Sequence, residues 1–301
     1  VSLQFVVDGL LIGSLIGLGA IGVTLTYSIL RFANFAHGEF ISWGTYLALA
    51  ISGVFGVVAG RDVPLAPFSF GWRLLVATAL AMALTGLLAL ALDSLLFRRL
   101  RQHGTAITLV IASFGAAMAA RSLLEFAFSA QPTYFNRAIQ FAIPLGLGVR
   151  ATADQLATLV LTALLVTLIH LMMTRTDIGR AMRAVSENPT LAEVAGIDVG
   201  AVIRATWLIG GALACAAGVM AGITVQIRPY MGFDLLLPLF SAAILGGIGS
   251  VPGAVIGGLI VGVAQSGAVH FAGAEFRAAV AFVVLICVLL IRPTGLFGSR
   301  D

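Results

Sequence analysis

The sequence predicts an all-α polytopic membrane protein, one domain over residues 1–301, with about eight to nine transmembrane or re-entrant helices. Three observations carry this. Hydrophobic residues fill 60% of the chain and charged residues only 10%, too little polar surface to keep such a core in water. The mean hydropathy of +1.07 is concentrated in blocks, each near the length that crosses about 30 Å of hydrocarbon. The arginines gather in the breaks between blocks, where membrane topology accounts for them, so the net charge of +4 is no nucleic-acid signature.

Residues 5–30 form the first span. Gly9, Gly13 and Gly17 make small-xxx-small steps that let another helix approach closely. Gly13 and Gly17 are also candidates to line a substrate path. The stretch reads as a span rather than a signal peptide, because no basic leader or cleavage site accompanies it. Residues 31–40, RFANFAHGEF, then interrupt the apolar pattern. Arg31, Asn34, His37 and Glu39 suit a cytoplasmic turn, whereas Phe32, Phe35 and Phe40 suit burial. Gly38 permits irregular backbone, which membrane depth tolerates only where protein or a wet cavity satisfies it. Both readings stay open, and Asn34, His37 and Glu39 join the candidate path.

Spans follow at 41–58 and, after a loop at 60–67 with two prolines, at 72–97 with Trp72 as an interfacial anchor. Arg98, Arg99, Arg101 and His103 crowd the end of the third span and mark that end cytoplasmic. The fourth span, 105–128, carries Arg121 and Glu125 four apart, a spacing that pairs them on one helix face. Residues 131–150 make a polar external loop where a periplasmic partner could dock, and 151–174 return the chain to the arginine-rich side.

The interval 175–204 is the longest polar stretch between apolar blocks. It predicts two short amphipathic helices at the membrane surface. In the first, 179–185, Gly179 leads and Arg180 and Arg183 stand three apart on one face. After Glu187, Asn188 is a good N-cap and Pro189 suits the first position of a second helix. Leu191, Ala192, Val194 and Ala195 supply an apolar stripe, and Gly196 is a terminator.

Residues 201–225 form a sixth span rich in small residues, and 226–234 lie outside. The stretch 235–245 is too short to span untilted. It meets GGIGSVPG at 246–253, followed by apolar segments at 254–271 and 276–291. This glycine-proline break reads either as a tight turn or as a re-entrant pair at a transport site, with Gly246, Gly247 and Gly249 lining it. Arg292 and Arg300 place the C-terminus inside, and parity places the N-terminus outside. A loose internal echo relates residues 9–39 to 210–234: glycine-rich span, arginine, aromatics, acid.

Several functions are excluded by composition. All 17 basic residues are arginine, so the chain has no Walker A lysine and no Schiff-base lysine. The histidines at 37, 103, 170 and 270 are scattered and suggest no metal or enzyme site. Cys215 and Cys287 sit in apolar stretches as packing residues. An ion-coupled secondary carrier using Glu39 and Asp234 remains the rival from another class.

Four motifs resemble one family in order along essentially the whole chain. They are NFAHGE at 34–39, GRAMRAV at 179–185 with ENP at 187–189 and GID at 196–198, LGGIGSVPGA at 245–254, and RPTGLF at 292–297. The family is the inner-membrane permease subunit of branched-chain amino-acid type ABC importers, and the chain looks like the shorter of its two paralogues. The resemblance implies an ABC importer permease fold in the bacterial inner membrane. It also implies a second paralogous permease, two cytoplasmic ATPases that bind ATP and Mg, and a periplasmic substrate-binding protein. On this reading the chain has no cofactor and no ATPase site of its own. Gly179, Arg180, Arg183, Glu187, Asn188, Pro189 and Gly196 would form the segment that docks on the ATPases and drives alternating access. Related permeases serve other amino acids, urea, short amides or sugars, and these remain alternatives for the substrate.

Overall fold

The structure, a computed structural model, describes residues 3–58, 65–136, 140–146, 148–292 and 294–298. The loop expected at 60–67 lies mostly outside them, as do Arg137 and Arg300. Among the described residues, eight helical segments are long and apolar enough to cross a membrane. They are α1 (Gln4–Leu30), α2 (His37–Val58), α3 (Trp72–Leu92) with its continuation to Gln102, α5 (Ala106–Phe128), α6 (Ala153–Arg175), α9 (Val199–Thr224), α11 (Val251–Phe271) and the C-terminal Ala274–Ile291. The last comprises a 3₁₀ turn and α12 (Arg277–Ile291). A π-helical turn, Asp93–Phe97, joins α3 to the short α4 (Arg98–His103). It brings Asp93 within 2.7 Å of Arg101.

Glycine decides which helices touch. α1 runs antiparallel to α11 along a seam of Gly9, Gly13 and Gly17 against Gly258 and Gly262. A Cβ on Gly258 would stand 2.4 Å from the Gly17 Cα, and one on Gly262 2.3 Å from the Gly13 Cα. Gly13 and Gly17 thus serve helix packing, where close backbones gain dispersion and Cα–H···O contacts. On its other side α1 meets α9. There the Trp207 ring stacks on Phe97 at 5.3 Å, with Phe32 at 5.3 Å from Phe97 and Phe40 at 6.2 Å from Trp207. Cys215 is buried where Gly44 of α2 admits it, and Cys287 faces outward.

Two boundaries differ from the sequence expectation. α2 begins at His37 rather than after Phe40, so the irregular stretch is shorter than the polar one. Gly38 is helical; its missing side chain serves a backbone contact, since a Cβ there would lie 2.7 Å from the Gly232 carbonyl. The short segment near 235–245 is also longer than its apolar run. As α10 (Met231–Gly246) it recruits Met231 to Asp234 and accommodates Pro238 inside the helix. At about 24 Å it is still shorter than a full span.

The glycine-proline break is a tight turn. Gly247 and Gly249 hold φ of +97° and +90°, conformations that need glycine. The Gly249 N–H donates to Thr24 at 2.7 Å, and the amides of Leu296 and Phe297 bond back to the carbonyls of Leu245 and Gly246. A Cβ on Gly246 would sit 2.1 Å from the Gly253 carbonyl. Gly246, Gly247 and Gly249 thus close the α10–α11 hairpin. At the opposite end a small hairpin, β1 (Ile143–Gly146) and β2 (Val149–Ala151), tops the bundle. Gln4 ties it down through the Arg150 amide and carbonyl.

Candidate functional site

The arginine-rich end carries the helix pair expected from 175–204. α7 (Asp177–Glu187) is capped by the Thr176 hydroxyl, which accepts from the Gly179 N–H. Gly179 lies against the last turn of α6, where a Cβ would be 2.3 Å from the Met173 carbonyl, and Met182 and Val185 are buried behind it. Asn188 ends α7 and caps α8 (Pro189–Val194) by accepting from the Leu191 N–H at 3.0 Å, with Pro189 at the first position. Gly196 follows in a left-handed conformation, φ +87°.

Side-chain roles in this pair differ from those read in the sequence. Arg180 and Arg183 do not present one free basic face. Arg180 is paired with Asp177 on the surface, while Arg183 donates to the Met173 carbonyl, one of the acceptors a helix end leaves open. Of the apolar stripe of α8 only Ala192 is buried, and Leu191 and Val194 are 65% and 82% exposed. Arg31, in a left-handed conformation just after α1, donates to the Ser186 carbonyl and so ties the break before α2 to α7. No local spacing signals that bond, which joins residues far apart in the chain.

The second polar centre lies inside the bundle. Phe32, Asn34, His37 and Glu39 are all buried, so the RFANFAHGEF stretch packs into the core. The Asn34 side chain holds the Ala36 amide, and the Phe35 amide donates to Ser113 of α5. His37 faces α1, with its ring edge against Gly22. Glu39 points the other way, and here the pairing expected from i, i+4 spacing is corrected. Arg121 bonds Glu39, through Nη2 at 2.5 Å and Nε at 3.2 Å. Glu125 is left on the flank, its Oε1 buried and unpartnered among the described residues. Glu39 is only 2% exposed and needs the cation more, because an unpaired buried carboxylate is costly. The guanidinium also stacks over Phe233 at 4.4 Å and Tyr230 at 5.0 Å. Asp234, the other acid considered for ion coupling, is exposed and paired with Arg228 at 3.3 Å. Among the described residues no cluster of metal-ligating side chains occurs.

Comparison with known proteins gives this arrangement its family. Residues 5–289 match the family model described as branched-chain amino acid transport system / permease component. The chain is 34% identical to the high-affinity branched-chain amino acid transport system permease protein BraD of Pseudomonas aeruginosa, over 99% of this chain and 96% of that one. It is 32% identical to the corresponding protein LivH of Escherichia coli over the same shares. The probable branched-chain amino acid transport permease protein LivH of Methanocaldococcus jannaschii is 29% identical, over 98% and 92%. A solved structure, PsaBC from Streptococcus pneumoniae in complex with Fab, overlays with a TM-score of 0.50 at 14% identity, covering 97% of this chain and 92% of that one, which supports the fold alone. With the match running unbroken from the first span into the last, the chain belongs to the family of branched-chain amino acid transport system permease components.

Proposed function

We propose that the chain is the membrane-spanning permease subunit of an ATP-driven importer for branched-chain or related amino acids in the bacterial inner membrane. The observation that carries this is full-length similarity to permeases named for those substrates. The α7–α8 pair adds to it by presenting exposed Leu191 and Val194 at the arginine-rich, cytoplasmic end. ATP and Mg are bound by two partner ATPases, a second permease completes the path, and a periplasmic binding protein delivers substrate. Closure of the ATPases pushes on α7 and α8. Arg183 passes that push to the end of α6 and Arg31 passes it to the start of α2. The resulting rocking of the spans alternates access between the two sides.

The test is co-purification from native membranes followed by ATPase and L-leucine uptake assays with candidate binding proteins. Recovery of two ATPases, a second permease and a binding protein is expected. Arg183→Glu, or replacement of 187–189 by Gly-Gly-Ser, abolishes uptake while the subunit still inserts. A chain that purifies alone and transports on an ion gradient sinks the proposal.

A further inference from the structure

We propose that Glu39, Arg121 and Glu125, with the ring faces of Tyr230 and Phe233, form a contact site for the ammonium and carboxylate of an α-amino acid crossing the membrane. This rests on the amino-acid import reading above and assigns residues to it.

The charges of the cluster are arranged to complement a zwitterion. Glu125, one turn along α5 from Arg121, is close enough to act electrostatically on Glu39. The cluster therefore holds two carboxylates against one guanidinium. Arg228 and Asp234 at its rim neutralise each other and do not alter that balance. The carboxylates suit the ammonium of such a molecule and the guanidinium suits its carboxylate. Hydrogen bonding points the same way. Glu39 Oε2 and Glu125 Oε1 are buried acceptors with no donor among the described residues. An ammonium group brings three donors and one positive charge. The bonds from Arg121 to Glu39 use Nε and Nη2, which leaves Nη1 for a carboxylate.

The surroundings suit the rest of an aliphatic amino acid. Tyr230 and Phe233 are about half exposed, so the cluster reaches the surface of the subunit between α5 and α10. Two turns further along α10, Phe240 packs on Phe35 at 5.6 Å, and Phe35 meets Phe114 of α5 at 6.1 Å. The aromatic strip thus continues inward from the ion pair for roughly 10 Å. A branched side chain slides on such faces without a polar group to hold it. The strip flanks the shortened helix α10, the kind of element around which transporters build midplane sites.

The experiment uses the complete importer in proteoliposomes with radiolabelled L-leucine. Glu125→Gln and the Tyr230→Ala/Phe233→Ala double variant are expected to lower uptake at least about tenfold, with the complex eluting intact and melting as the wild type does. The reversed pair Glu39→Arg/Arg121→Glu is expected to fold and to remain inactive, because it restores the ion pair but not the arrangement of charges. Uptake restored by the reversed pair, or unchanged in Glu125→Gln, overturns the site and leaves the import reading intact. Loss of the second permease from the Tyr230→Ala/Phe233→Ala complex also overturns it, since the face is then a contact between permeases. No leucine uptake by the intact wild-type importer overturns the import reading and this site with it.

Discussion

Replacing Gly262 by alanine tests the backbone seam between α1 and α11. A Cβ at Gly262 would stand 2.3 Å from the Gly13 Cα and 2.4 Å from the Gly9 carbonyl oxygen, against an ordinary contact of 3.4 Å or more. Both neighbours are backbone, so no rotamer change relieves the clash and the helices must part by roughly 1 Å. A gap of that size forfeits about a quarter to a half of each dispersion contact along the seam. The expected cost is about 1–3 kcal/mol, the usual range for overpacking. Gly267→Ala is the matched control: on the same helix, its Cβ would meet only the Phe5 ring, at 4.0 Å. There alanine is expected to be neutral or to stabilise by up to about 1 kcal/mol through helix propensity. Thermal unfolding of the purified complex in detergent reads both. Equal melting temperatures for the two variants would refute the close approach and the register of α1 on α11 with it.

Three further outcomes follow from the same geometry. Asn188→Ala removes the N-cap of α8 and costs about 1 kcal/mol, read as roughly fivefold faster hydrogen exchange of the 191–195 amides; unchanged exchange contradicts the cap. Leu191→Ser with Val194→Ser touches only exposed side chains, so melting is unchanged while the ATPases no longer co-purify; full recovery of the ATPases removes α8 from the docking surface. Arg121→Met strands the buried Glu39 and destabilises by about 3–5 kcal/mol, whereas adding Glu39→Gln recovers most of that; an additive double variant means the two do not interact in the folded protein.

Local signals were readable wherever their physics is local. The N-cap at Asn188, Pro189 behind it and the glycine at 196 depend on a few consecutive residues, and they lie in the structure where such residues place a boundary. The spans were legible for the same reason, because a run of apolar residues needs no partner to be recognised. Glycine was legible as a sign of close approach but not of what approaches: the steps at Gly9, Gly13 and Gly17 predict a close helix, and only the structure shows that it is the helix of Gly258 and Gly262. Arg121 shows the sharper limit. Its partner at i+4 is visible in sequence and its actual partner is 82 residues away, chosen because Glu39 is the more deeply buried acid. The apolar stripe of α8 was legible but not what covers it, because a single chain does not say which molecule lies against Leu191 and Val194.

The loose echo between the first span and the sixth has a physical content that explains where the polar centre sits. α1 and α9 cross at Gly22 and Gly210, and the helices that follow them, α2 and α10, touch through Gly38 and Gly232, each the second residue of its helix. Both helices therefore start inside the protein, with amide groups that no preceding turn can satisfy. Gly232 resolves this by donating to the Ser42 hydroxyl, which in turn donates to the Pro229 carbonyl. Each helix also carries an acid in its first turn, Glu39 and Asp234, where the positive end of the helix dipole favours one. Each acid is then held by an arginine, Arg121 and Arg228. The buried Glu39–Arg121 pair is thus a consequence of beginning α2 within the bundle, and the break that makes this possible is fastened by Arg31 to the helix pair at the arginine-rich end. Movement of that pair has a short covalent and hydrogen-bonded route to Glu39, nine residues beyond the end of α1, without passing through the glycine seam that holds α1 to α11.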